Sequence, residues 1–452
     1  MNDLLQYAIW GIFGFIFHLP THSQTYIPFK GAPIYLNGIN IPWNHFGWDI
    51  GRHPQKGIGY DSLWFEEAFS TLASEGVNSA RFWIHTDGRA SPEFLQNGFV
   101  TGLDGIFFEH LDDLVQRAEA HNIYLIFCLW TFELVQDKRS CCGQFAGNHS
   151  DLIREPAKTQ SYIDQVLIPM VKRYAQSCAV FAWEIINEPE WAIENIGTEK
   201  GVVPKVDMQR FVAMQAEAIH AHSDQLVTVG SASLKWNSSY TPPTKGNFWS
   251  DEALQQAWPS AGSYLDFYQI HFYDWMKEGR ANFDPYSRPA DFWNLEKPTI
   301  IGEASPYSSY YNPNQMLQNA FHNAFAGHFF WSYAANGNTA GWNASRNAIN
   351  DFSQQQAELI GYRCKGETPE QSYILFSPNP ALAGQPFIIE IATETLTGLH
   401  LQIFDAMGRK VRESSYSLQA AQHTIKIVNR LRAAGIYFIS INGGPFKKLL
   451  IL

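Results

Sequence analysis

The chain has 452 residues, enough for one large domain and a small one, with 45% apolar and 15% aromatic side chains and a net charge of −11. Residues 371–452 hold eight Lys/Arg and four Asp/Glu, a balance of +4, which leaves −15 for the remainder. So acidic a main body argues against nucleic acid and anionic polymers as ligands, and favours a neutral one.

Taken in order, Ala8 to Leu19 is nearly all apolar and is followed by Thr21-His22-Ser23-Gln24. This reads as a secretory signal peptide over residues 1–24, although Asp3 stands where a basic start is usual. The run is too short to cross a bilayer, so no membrane span is expected. From Tyr35 to Tyr333 eight β-rich runs follow: 35–41, 77–84, 123–130, 180–186, 226–230, 266–272, 298–302 and 328–333. They alternate with helical patterns such as Phe107 to His121, where Phe107, Leu111, Leu114, Val115 and Ala118 form one apolar stripe closed by Asn122. Eight strand-helix alternations predict an α/β fold, a (β/α)8 TIM barrel over residues 25–362. An open doubly wound sheet is the weaker alternative, because no Gly-rich phosphate turn follows the first run.

Residues 363–372 read as a polar linker containing Pro369. Beyond it Phe387-Ile389-Ile391, Leu399-Leu401-Ile403 and Tyr437-Ile439-Ile441 alternate with period two, which predicts a small all-β sandwich over 373–452. The five cysteines, Cys128, Cys141, Cys142, Cys178 and Cys364, are too few for a disulfide scaffold. No C-x-x-C or H-E-x-x-H spacing marks a metal site, and no cofactor is expected. Fourteen of the 15 tryptophans lie between Trp43 and Trp342. Many must be core, but that density also suits a cleft in which rings stack on sugars.

The chemistry concentrates at two strand ends. FAWEIINEPE (181–190) is an apolar run that Pro189 stops, so Glu188 emerges where a buried strand surfaces. Glu303 in PTIIGEAS does the same on the seventh run, with Gly302 permitting close backbone approach. In a barrel the fourth and seventh strands face each other across the carboxyl-end mouth. Two carboxylates there suit glycoside hydrolysis, one donating a proton and the other attacking or activating water. Arg81, His271 and Tyr273 are expected at the same mouth, with Trp331 as a floor for a sugar ring. Singly, Arg81 suits a buried ion pair, His271 a core histidine and Trp331 a core ring; their joint placement at successive strand ends favours a site.

With these residues the stretch from about 30 to 340 resembles glycoside hydrolase family 5, in the clan of retaining (β/α)8 β-glycosidases. The resemblance rests on Asn187-Glu188-Pro189, Glu303, Arg81 in SARFWIHTDG, His271-Phe-Tyr273 and Trp331. It implies Glu188 as acid/base and Glu303 as nucleophile. It further implies Asn187 on the 2-hydroxyl of the reacting sugar, Arg81 and Tyr273 holding Glu303, and His271 and Trp331 shaping the subsite. RFWIHTDGR with GLDGIFFEHLDDLV, and YLDFYQIHFYDW, are similar to endo-β-1,4-mannanases. Trp130 in Leu129-Trp130-Thr131 stands where the cellulase branch places a histidine, and is expected to contact substrate. Ala304-Ser305 after Glu303 departs from the aromatic-glycine pair of many relatives. The tail resembles the C-terminal sorting domain of the type IX secretion system, through Ser377-Pro-Asn-Pro380, IFDAMGRKV (403–411), LRAAGIYFISI (431–441) and KKLLIL.

The expectation is therefore a secreted or surface-attached enzyme cutting internal links of a β-mannan polysaccharide by double displacement, exported with the type IX secretion machinery as partner. A β-1,4-glucanase or exo-mannosidase keeps the chemistry and changes the substrate. A non-catalytic polysaccharide-binding protein would need no acid pair.

Overall fold

The structure, a computed structural model, describes residues 26–451 apart from 52–58, 138, 142–143, 197–200, 241–245, 278–282, 362–372, 378–381, 393–397, 407–408, 418–423, 432 and 442–446. The expected signal peptide and linker lie outside the described residues. Eight parallel strands close into a barrel: β1 (Leu36–Asn40), β2 (Ser79–Thr86), β3 (Tyr124–Thr131), β4 (Val180–Asn187), β5 (Leu226–Ser231), β6 (Tyr268–Phe272), β7 (Thr299–Ala304) and β8 (Gly327–Phe330). Each expected run overlaps one strand, and β8 closes on β1 in the register Gly327↔Leu36 to Phe330↔Ile39. Strands covered on both faces need apolar residues at successive positions rather than alternate ones, and β2, β3 and β4 are buried at every residue.

The crossover helices follow their sequence signals. Helix Phe107–Ala120 buries the five residues of its expected stripe and is followed by Asn122 at φ 57°, in the left-handed region where asparagine is tolerated. One crossover departs from strict alternation. Between β6 and β7 the described residues form only short 3-10 turns, Asp274–Lys277 and Ala290–Trp293. Pro285, Pro289 and Pro298 fall in that stretch and break any longer helix.

The two ends of the barrel differ. A short antiparallel hairpin, Ile27–Phe29 with Ala32–Ile34, belongs to an apolar cluster with Leu36, Tyr124, Phe181, Phe267, Ile300 and Phe329. The Phe29 ring lies 4.6 Å from Phe181 and 5.8 Å from Tyr124. This hairpin seals the amino end of the barrel with aromatic packing, so the polar groups of the interior gather at the carboxyl end. Gly38 is obligatory in that wall, because a Cβ there would stand 2.3 Å from the Phe329 ring. The barrel unit extends to residue 360: Asn37 and Asn78 donate from their side chains to the carbonyls of Ile349 and Ile360, and Tyr35 N donates to Leu359 O.

The tail forms two antiparallel sheets. One holds β9 (Tyr373–Ser377), β10 (Pro386–Ala392) and β13 (Thr424–Arg430) in the order β9-β10-β13. The other holds β11 (Gly398–Asp405), β12 (Lys410–Ser417), β14 (Gly435–Ile441) and β15 (Lys447–Ile451) in the order β12-β11-β14-β15. The three alternating runs fall on β10, β11 and β14, and Leu401, Ile403 and Ile439 are fully buried.

Candidate active site

Glu188 occupies the corner that its sequence dictates. Proline at 189 disfavours the right-handed helical region for the preceding residue, and Glu188 takes φ 47°, ψ 48°, a left-handed conformation uncommon outside glycine. Its N–H donates to Gly230 O, and the turn Pro189–Trp191 returns Trp191 so that its indole N–H donates to Glu188 Oε2 at 2.8 Å. His271 Nδ1 lies 2.8 Å from Glu188 Oε1 and 3.7 Å from Glu303 Oε2. Glu303, at the end of β7, accepts from Arg81 Nη1 at 2.6 Å and from the Tyr273 hydroxyl at 2.9 Å. One oxygen of Glu188, one nitrogen of His271 and one oxygen of Glu303 lie within 4.8 Å of one another.

Arg81 is the hub. It is fully buried and bonds three strands beyond its own: Asn40 Oδ1 on β1 at 3.0 Å, Glu184 on β4 through two bonds of 2.5 and 2.6 Å, Asn187 Oδ1 on β4 at 2.7 Å, and Glu303 on β7. Gln269 on β6 donates to Glu184 Oε2 at 2.8 Å, and Trp83 stacks beneath the guanidinium at 4.0 Å. Burial opposes the charge of Arg81, but Glu184 and Glu303 outweigh it and raise its pKa. A planar fork with five donors suits this position where a point charge would not.

The environments of the acids differ. Burial pushes the Glu188 carboxyl up to about 7, against the downward pull of the Trp191 donor and of Arg81. Burial lowers His271 to about 4, so its imidazole is neutral at neutral pH, and burial together with Glu303 raises Tyr273. A carboxyl that holds its proton near neutrality beside one gripped by a guanidinium is a pair able to donate a proton and to attack. The cluster has metal-ligand spacing, but Glu303 is already engaged by a cation and a phenol, and Glu188 by an indole and an imidazole.

The structure brings Arg81, Asn187, Glu188, His271, Tyr273 and Glu303 together. Trp331, half-buried just past β8, packs edge-on against Trp43 at 5.8 Å and Trp83 at 5.6 Å. Trp130 is a correction: it has no exposed surface and its ring is enclosed between His85 and Tyr162, at 4.9 and 5.0 Å. It is a core residue, not a substrate contact. Glu184, Asn40, Gln269, Trp191 and Glu190 were not anticipated. Glu190 is fully buried, accepts from Ala232 N and Trp249 Nε1, and is pushed by burial up to about 7. The available signal was a polar side chain inside an apolar strand, which must find a partner.

Backbone approach is as tight as the side chains. A Cβ on Gly230 would lie 2.4 Å from Glu184 Oε1, 2.8 Å from Gln269 Nε2 and 3.0 Å from Arg81 Nη2. Gly230→Ala therefore wedges the Arg81 network apart, and a thermal melt should show a loss of about 1–3 kcal/mol. An unchanged melting temperature would contradict this packing.

A closed (β/α)8 barrel with two carboxylates meeting at the carboxyl ends of β4 and β7 defines a glycoside hydrolase. Comparison with known proteins agrees. The chain is 31% identical over 332 residues to the mannan endo-1,4-β-mannosidase of Mytilus edulis, covering 69% of this chain and 86% of the relative. The solved β-mannanase of that mussel superposes with a TM-score of 0.64 at 26% identity, over 76% of this chain and 98% of that one. The β-1,4-mannanase of the sea hare Aplysia kurodai gives 0.63 at 28% identity, over 74% and 97%. The chain belongs to the mannan endo-1,4-β-mannosidase family. Residues 376–451 match the secretion system C-terminal sorting domain.

Proposed function

We propose that this protein cleaves internal β-1,4 links of mannan, glucomannan or galactomannan with retention of anomeric configuration. The observation that carries the reading is the approach of Glu188 and Glu303 to within 4.8 Å in unlike environments. Retaining enzymes hold their carboxyl groups about 5–5.5 Å apart, whereas inverting ones need about 6.5–9.5 Å to admit a water. Glu303, held by Arg81 and Tyr273, attacks the anomeric carbon while Glu188 gives its proton to the departing glycosidic oxygen. The glycosyl-Glu303 ester is then hydrolysed by a water whose proton passes to Glu188, which restores both groups. Asn187, its carbonyl taken by Arg81, offers its amide N–H groups to the 2-hydroxyl. Trp331 offers a ring to the sugar face, and neutral His271 steadies Glu188.

Residues 1–24 serve as signal peptide, 25–362 as catalytic domain, 363–372 as linker and 373–452 as the sorting domain for type IX export, with release from or attachment to the cell surface. A disulfide at Cys178 fits an oxidising destination.

The full chain should release reducing ends from glucomannan and galactomannan, with oligosaccharides of mixed length as early products. Release from cellulose derivatives alone, or of monosaccharide alone, would replace the substrate or the mode of action. A second test uses pH. Activity requires protonated Glu188, so kcat/KM should fall as pH rises through about 7. Trp191→Phe removes a donor that favours the ionised form while burial persists, so this limb should move to higher pH by roughly half a unit to one unit. A shift to lower pH, or none, would detach Trp191 from the control of Glu188.

A further inference from the structure

Three large aromatic side chains are exposed among the described residues, and all three stand on one stretch of the barrel rim: Trp275 at 52%, Tyr307 at 63% and Tyr310 at 46%. Trp275 follows β6 within Asp274–Lys277; Tyr307 and Tyr310 follow β7 in the segment Pro306–Pro313, which lines an open hollow of about 490 Å³. None of them is used by the hydrolytic steps above, and exposed rings contribute little to a core.

The segment is held firmly. Asp274 accepts from the Ser308 hydroxyl at 2.6 Å and from Ser309 N at 2.5 Å, which ties the rim after β7 to the rim after β6. The Tyr307 hydroxyl donates to Ala340 O at 2.8 Å, across to the segment after β8. Lys277 stands 4.5 Å from the Tyr310 ring and donates to the Tyr311 hydroxyl, which in turn donates to Asp284. Asn312 closes the segment with a capping box at helix Pro313–His322. Rings fixed in place lose little conformational freedom when a ligand stacks on them, which is what a binding platform requires. The shelf is continuous with the catalytic cleft. Trp275 lies 6.3 Å from Trp191, whose indole holds Glu188, and the segment starts shortly after Glu303.

We propose that Tyr307 and Tyr310 form a docking shelf for a neutral β-1,4-linked hexose chain, gripping the stretch of polysaccharide that leaves the cleft over β6 and β7. The proposal rests on the hydrolase reading for its ligand. The flat apolar face of a pyranose suits an exposed ring, and the polar edges of the shelf, Ser309 and Asn312, suit its hydroxyls.

The test is affinity electrophoresis of the full chain carrying Glu303→Gln, so that no gel polymer is consumed, through galactomannan and through hydroxyethyl cellulose. Tyr307→Ala with Tyr310→Ala on this background should weaken the retardation constant about thirtyfold while the barrel still melts cooperatively, since two stacked rings contribute on the order of 1 kcal/mol each. Tyr307→Phe with Tyr310→Phe keeps the rings, loses only the Tyr307 tie to Ala340, and should restore most of it. Retardation within twofold of the parent in the alanine variant overturns the shelf, as does a parent retarded by neither polymer. Loss confined to the cellulose gel keeps the shelf and overturns mannan as the substrate, so the two failures are separable.

Discussion

Glu303→Gln should lower turnover on mannan by at least about four orders of magnitude, some 5 kcal/mol of transition-state stabilisation, with little change in fold. The amide keeps the shape and can still meet Tyr273, but it cannot form the ester on which double displacement depends. Glu188→Gln should cost as much on mannan and behave differently on an aryl β-mannoside with a good leaving group. Such a group departs without a proton, so this variant should still give a burst of phenol before stalling at the ester, while the Glu303 variant gives none. Stopped-flow release of the phenol reads both. Equal behaviour of the two variants on the activated substrate would dissolve the division of roles.

The second large effect is on the hub. Arg81→Met removes the one cation from among Glu184, Glu303 and Asn187 and leaves two buried carboxylates facing each other. Breaking a buried ion pair in this way costs about 3–5 kcal/mol. The loss has a pH signature. A buried carboxylate stripped of its counter-ion favours the protonated form, so the penalty it imposes is relieved as acid supplies that proton. The gap between Arg81→Met and the parent should therefore be widest near neutrality and narrow toward pH 4, in melts run across that range. Arg81→Lys should recover part of the stability and little of the activity, because an ammonium cannot serve three strands at once.

Much of this was legible in the residues. Both catalytic candidates lie at proline- or glycine-marked strand ends, and the eight apolar runs needed no tertiary information, because strands covered on both faces must be apolar throughout. Glu184 was passed over although it interrupts the same run as Glu188. The apolar character of its neighbours masked an inward side chain whose partner, Arg81, lies two strands away. Trp130 shows the opposite failure. A tryptophan at a strand end can turn into the helix layer as readily as into the mouth, and only the ring positions of His85 and Tyr162 decide it. Trp331 depends likewise on Trp43 and Trp83, whose approach no local pattern encodes. The short 3-10 turns that the described residues form after β6 were within reach, since the three prolines of that stretch are plain in the sequence.

The hairpin at the amino end of the barrel sets a timetable. Ile27–Ile34 leaves the ribosome before any barrel strand, yet its packing partners include Phe267, Ile300 and Phe329, which belong to the last part of the barrel to be made. Contacts of such sequence separation form late. The floor beneath Arg81 and Glu184 therefore stays open until β8 exists, and an incomplete chain has an unsealed apolar bore in place of a hydrolase. For a protein read as destined for export this delay is useful, since a chain that closes slowly remains threadable. It also sets a limit on processing at the amino terminus, where a cut beyond Tyr26 would begin to remove the stopper itself.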